Sequence, residues 1–173
     1  MAVISCDPGQ TGGICIFENN KLVENVYIPQ LPDKSVDIIT LLDWFYTWRA
    51  VYEHNMEAVS TCMEKVHSMP KQGVSSTFKF GKTTGQLEVL LRTVSRANHT
   101  EIRAQDWKKS FGLKGKNKHE AVDLALSMEP KLFSFNKKQE GYINKQRQSG
   151  IADAYLMGLY FLSKSPTINL SKN

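Results

Sequence analysis

The sequence predicts a mixed α/β layer fold, on three observations. Three short β-type runs come first, two of them joined across Asn19-Asn20. Further β runs then alternate with apolar patterns of helical period. No internal repeat, low-complexity tract or long linker interrupts the 173 residues. A hairpin-led sheet that continues through crossover helices combines antiparallel with parallel strands. At this length the simplest division is one domain over 1–165, followed by a peripheral C-terminal tail at 166–173.

Residues 2–6 form an apolar β run that Asp7-Pro8-Gly9 stops, because Pro and Gly break pairing. Residues 13–18 and 21–28 are two strands, with a hairpin turn at Asn19-Asn20. From Ser35, an expected N-cap, the positions Val36, Ile39, Leu42, Trp44, Phe45, Trp48 and Val51 fit a helix whose aromatics are core. Residues 57–63 make a fourth strand that ends at Glu64, and a helix is expected at 76–97. A fifth strand is expected at 100–104, then helices at 105–110, 117–128 and 149–164. In outline the order is β-β-β-α-β-α-β-α-α. Phe78 and Phe80 are expected in the core or at a dimer contact.

Composition excludes several classes. With 41% hydrophobic and 23% charged residues the chain is neither disordered nor fibrous. The most apolar window, Ile151 to Leu162, is too short to span a bilayer and contains Asp153, so no membrane association is expected. Met1 runs into an apolar segment without a basic stretch, so no secretory signal or transit peptide is expected. Cys6, Cys15 and Cys62 lack metal-ligand spacing and read as small core residues of a cytoplasmic, reducing compartment. His54, His67, His99 and His119 likewise have no His or Cys partner at ligand spacing.

The net charge is +5, and its placement is uneven. Residues 103–147 hold 11 Lys and Arg against 5 Asp and Glu, so the remainder is slightly acidic. After Glu64, residues Lys65, Lys71, Lys79 and Lys82 meet no acid until Glu88. Two basic segments interleaved with Gly and aromatics suggest a polyanionic partner, and a solvated Lys-rich face accounts for the same charge equally well.

Three carboxylates stand where chemistry is feasible. Asp7 and Glu64 lie at the C-terminal ends of the first and fourth strands, where open α/β sheets bind ligands. Asp153 lies near the start of the last helix among Ile151, Ala152, Ala154, Leu156 and Met157. A carboxylate in such surroundings needs a cation, a metal or a hydrogen bond, and hard oxygen donors suit Mg²⁺ or Mn²⁺. The local alternatives are a turn at Asp7, a surface acid at Glu64 and a capping residue at Asp153.

DPGQTGG at Asp7–Gly13, MEKVHSMPKQGVSSTFKFGKTTG at Met63–Gly85, WKKSFGLKGKNK at Trp107–Lys118 and IADA at Ile151–Ala154 together resemble the RuvC-type Holliday-junction resolvases, especially phage-type members. The resemblance covers roughly residues 2–162, and its specific part is the strand-terminal Glu followed by MPxxGVSSTFKFG. It implies an RNase H-like five-stranded mixed sheet and a homodimer. The implied activity is metal-dependent cleavage of branched DNA that leaves a 5′-phosphate and a 3′-hydroxyl. It also implies a host cytoplasm, two Mg²⁺ per active site with Mn²⁺ as a substitute, and no nucleotide cofactor. Asp7, Glu64 and Asp153 match the family's metal-binding carboxylates, with Asp7 bridging, and Lys118 falls in a stretch where the family has functional lysines.

The family also supplies an acid or a His three or four residues before the last Asp. Ser149 and Gly150 occupy those positions here. Phosphate contacts are expected from Lys65, Lys71, Lys79, Lys82, Lys108, Lys109, Lys114 and Lys116. Gly73, Ser75 and Ser76 allow close approach to a DNA backbone, and His67 stands where relatives place a stacking aromatic. Two rival functions are a non-catalytic branched-DNA binder, suggested by Ser149 and Gly150, and a nuclease for RNA:DNA hybrids or flaps. DPGQTGG also resembles the phosphate turn of actin-like and sugar-kinase ATPases, but that class needs two such domains and 173 residues leave no room for them.

Overall fold

A computed structural model of the chain describes residues 1–52, 59–67, 73–96, 98–134 and 145–164. The strands are β1 (Ala2–Asp7), β2 (Gly13–Glu18), β3 (Lys21–Tyr27), β4 (Val59–Lys65) and β5 (His99–Arg103). The helices are α1 (Ile38–Tyr52), α2 (Val74–Val94), α3 (Ala104–Ser110), α4 (Lys118–Met128) and α5 (Lys145–Lys164). Three helices follow β5, as the expected spans 105–110, 117–128 and 149–164 have it and one more than the outline order counts; α3 is about two turns long and separate from α4.

The strands form one sheet in the order β3-β2-β1-β4-β5. β1, β2 and β3 pair antiparallel, and β1, β4 and β5 pair parallel, as a hairpin followed by crossovers requires. Asn19 and Asn20 both take positive φ, 49° and 64°, the backbone that a tight hairpin turn needs and that Asn tolerates.

Alternation along each strand divides the core in two. Ile4, Cys6, Ile14, Ile16 and Met63 face α1 and α2 through Leu41, Phe45, Trp48, Leu87 and Leu91. Val3, Cys15, Phe17, Cys62 and Ile102 face the opposite way, onto Trp107, Ala125, Ile151, Ala154 and Met157. The three cysteines are buried thiols, as expected.

Several local expectations are corrected. Asp37, not Ser35, caps α1: its carboxylate accepts hydrogen bonds from the Thr40 amide at 3.0 Å and hydroxyl at 2.8 Å. Ser35 instead turns back onto Asp33. Ile39 and Val51 are exposed, because the buried stripe of α1 runs through Leu41, Phe45 and Trp48. Phe78 is also exposed and Phe80 is half-buried, since only the C-terminal half of α2, from Thr83 to Val94, lies over the sheet. α5 begins at Lys145, one turn early, because Lys, Gln and Arg extend a helix without an apolar signal. The tail at 166–173, His54, Lys71 and the Met69-Pro70 part of the resolvase-like motif lie outside the described residues.

Candidate active site

Register brings the first two acids together. β1 and β4 are parallel with Ala2 opposite Val59 and Cys6 opposite Met63, so Asp7 is followed across the gap by Glu64 at the same offset. Both continue the strand faces of Ser5 and Cys62, the side that α5 covers.

The third acid is delivered by the way α5 docks. Gly12 and Gly150 form an isolated parallel bridge, backbone against backbone. A Cβ at Gly150 would stand 2.1 Å from the Thr11 carbonyl oxygen, and one at Gly12 would stand 2.0 Å from the Asp7 carbonyl oxygen, so neither position admits a side chain. Further along, the Ser5 hydroxyl donates to the Ala154 carbonyl at 2.7 Å. Between these two anchors lies Asp153. Gly150 is therefore a packing residue, and of the two positions expected to hold a fourth ligand only Ser149 faces the acids.

Asp7, Glu64, Asp153 and Ser149 line one cavity of about 620 Å³, together with Lys34, Lys79, Lys108 and Lys118. Its floor is the Pro8–Gly12 loop, and Ser76, Phe80 and Thr83 of α2 complete the wall. Trp107 is fully buried behind it and fixes two of the groups. Its indole Nε1 donates to Glu64 Oε2 at 3.1 Å, and the Lys108 ammonium lies 5.0 Å from its ring centre. Lys118 is the first residue of α4, a position set by Asn117, whose side chain accepts from the amides of His119 and Glu120.

Burial, reinforced by the charges of Asp153 and Glu64, holds the Asp7 carboxyl well above the usual carboxylate range, while Lys108 and Lys118 oppose the rise. Asp153 is pushed up to about 6, mainly by burial, with Lys108 and Lys118 opposing and Glu64 adding to it. Burial and mutual repulsion thus work against ionising all the acids together, and a cation placed among them relieves both. Among the described residues no three Asp, Glu, His or Cys side chains converge into a ready-made cage for a single ion. The donor set is nevertheless oxygen-only, and it fits Mg²⁺ or Mn²⁺, which keep several waters and take one or two carboxylates alongside phosphate oxygens.

The other expected contacts distribute around this cleft. Lys79 lies on its rim and also lines, with Ser75 and Lys82, a neighbouring groove against Asp33, Lys34 and Ser35. Gly73 is the exposed N-cap of α2. Lys65 pairs with Glu101 at 3.7 Å and Lys116 with Glu120 at 3.2 Å, both at the surface. Lys109 and Lys114 are exposed and away from the acids, and His67 lines an adjoining cavity. Sequence patterning gave no hint of Lys34, a loop residue with φ 68°, as a wall of the acid cleft. Nor did it place Phe80 there. Nor did it pair Trp107 with Glu64; a buried indole N–H needs an acceptor, and Glu64 supplies it.

No family profile matches the chain, and no curated protein sequence matches it. Solved structures do. Thermus thermophilus RuvC superposes with a TM-score of 0.56 at 12% identity, over 94% of this chain and 96% of that one. The same protein in complex with a Holliday junction substrate superposes with a TM-score of 0.58 at 13% identity, over 95% of this chain and 96% of that one. The match spans the whole five-stranded sheet and its helices, and the chain has the RuvC-like, RNase H-like α/β fold.

Proposed function

We propose that this chain is a RuvC-type resolvase: a metal-dependent, structure-selective endonuclease that cuts Holliday junctions and other branched DNA, leaving a 5′-phosphate and a 3′-hydroxyl. The observation that carries this is the meeting of Asp7, Glu64 and Asp153, from β1, β4 and α5, in one cleft flanked by Lys108 and Lys118 on a RuvC-like fold. A junction has two-fold related strands to cut, so a homodimer is the natural working unit.

Asp7, Glu64 and Asp153 are the residues that would hold the divalent ions. Mg²⁺ or Mn²⁺ held by them would supply water activation and stabilisation of a leaving oxygen. The Trp107 indole keeps Glu64 oriented toward the cleft. Lys108 and Lys118 oppose the charge of the acids and line the same cleft, where they would stabilise negative charge growing on a phosphate held at the acids. Lys34 and Lys79 add positive rim for the flanking backbone.

The test is cleavage of a synthetic four-way junction, a flap and an RNA:DNA hybrid side by side in Mg²⁺. Paired nicks near the branch point of the junction, lost in Asp7→Asn while junction binding persists, are expected. Cutting of the hybrid alone overturns the assignment. A second reading, a branched-DNA binder with little turnover, is favoured by Ser149 in the place of an acid. Binding without product in both Mg²⁺ and Mn²⁺ would establish it.

A further inference from the structure

The loop between β3 and α1 is closed on itself and fastened to the floor of the acid cleft. Gln30 and Val36 form an isolated bridge, and the Asp37 amide donates to the Pro29 carbonyl at 2.9 Å. Inside that closure the Leu31 amide donates to the Ser35 carbonyl and the Lys34 amide to the Leu31 carbonyl, both at 2.9 Å. Two glutamines tie the loop to the Pro8–Gly12 turn. Gln30 Nε2 donates to the Gln10 carbonyl, and Gln10 Nε2 donates to the Lys34 carbonyl at 3.4 Å. The tip so fixed is Lys34, at φ 68°, a left-handed conformation that favours Gly or Asn over a lysine.

Lys34 lines the acid cleft and also a groove of about 230 Å³ between this loop and α2. Lys79 lines both as well, and Lys82 lines the groove. The three lysines share the groove with one carboxylate, Asp33, which already accepts from the Ser35 amide and hydroxyl. They come from the side of the sheet that α1 and α2 cover, whereas Lys108 and Lys118, the cations that act on Asp7 and Asp153, come from α3 and α4 on the other side.

We infer that this groove is a second phosphate subsite: Lys34, Lys79 and Lys82 bind the phosphate of the cut strand next to the one at the acids, and Gln30 is the positioning residue that holds Lys34 there. The inference rests on the DNA-cleaving function proposed above and adds to it a grip on the strand that is separate from the metal-binding acids. A lysine carries its charge on a flexible four-carbon stem, so Lys34 and Lys79 reach a phosphate beside the cleft from walls they already share with it. The latch orders the backbone beneath Lys34 before substrate arrives, which lowers the cost of forming that contact.

The experiment uses the full chain and a four-way junction carrying a neutral methylphosphonate at one phosphate at a time around the cut, with binding measured in EDTA. In the parent, neutralising one phosphate adjacent to the scissile one weakens binding about 5-fold. Lys34→Gly weakens binding of the unmodified junction by about the same factor, and the methylphosphonate then costs nothing further. Lys34→Arg keeps the parent's sensitivity. Gln30→Ala, which leaves every charge in place, loses it. Glycine suits φ 68°, so Lys34→Gly should melt no lower than the parent, which separates a lost phosphate contact from lost structure. Losses that multiply, a parent indifferent to every adjacent methylphosphonate, a Gln30→Ala chain that keeps the parent's sensitivity, or a Lys34→Gly chain that melts well below the parent each overturn the inference, and junction cleavage by the parent leaves the nuclease assignment standing in all four cases. A chain that binds no branched DNA overturns both.

Discussion

Replacing Asp153 by Asn tests the electrostatics of the cleft without requiring turnover. In the metal-free protein the Asp153 carboxyl titrates at about 6 instead of 3.8, mainly through burial. A raised carboxyl binds its proton more tightly in the folded chain than in the unfolded one. Its stabilising contribution is therefore complete below pH 3.8 and is lost as pH rises through 6. The difference amounts to about 3 kcal/mol, a penalty carried at neutral pH in the absence of metal. Asn has the same shape and no charge. In EDTA at about pH 8 the variant should melt above the parent, by up to about 6–12 °C for a chain of this size, and the gap should close toward about pH 4.5. Added Mg²⁺ should raise the parent's melting temperature and the variant's much less. Scanning fluorimetry across that pH range decides the matter. A variant that melts lower than the parent at pH 8, or a gap that ignores pH, refutes the account of buried, uncompensated charge.

The remaining predictions concern the groups around the acids. Trp107→Phe removes the donor to Glu64 and should cost about 1–3 kcal/mol of stability and slow cleavage about 10-fold; an unchanged rate would mean that Glu64 needs no orienting partner. Lys118→Ala and Lys108→Ala should each lower the single-turnover cleavage rate more than they weaken binding, by about 100-fold, and a loss confined to affinity and salt dependence would make them mere phosphate contacts. Gly150→Ala should destabilise by several kcal/mol, of order 3, because its Cβ collides with the Thr11 carbonyl, as chemical denaturation would reveal. Ser149→Asp should fold, bind Mg²⁺ more tightly and cleave a junction faster; no gain in metal affinity would show that position 149 does not contribute to the metal site.

The sheet was legible because its signals are local. Asp7-Pro8-Gly9 ends a strand wherever it occurs, and Asn19-Asn20 makes the hairpin turn by backbone preference alone. Helix boundaries were less so: Ser35 and Asp37 are both residue types that cap, and in the folded chain Ser35 bonds to Asp33 while Asp37 accepts from Thr40. The three acids stood out through position, at two strand ends and inside an apolar helix. Their neighbours did not. Lys34 and Phe80 arrive at the cleft from a loop and from the overhanging half of α2, and only the packed arrangement decides that they do. Phe80 in particular looks like core by composition, and it is half-exposed because α2 outruns the sheet.

The contact between Gly12 and Gly150 has a consequence for biosynthesis. It joins the loop after β1 to a helix 138 residues further along the chain. A nascent chain extended only through residue 134 already carries two of the acids and most of the cleft wall, yet it lacks Asp153, Ser149 and the helix that bears them. The acid cleft is therefore completed only when α5 has been made and has docked against that loop.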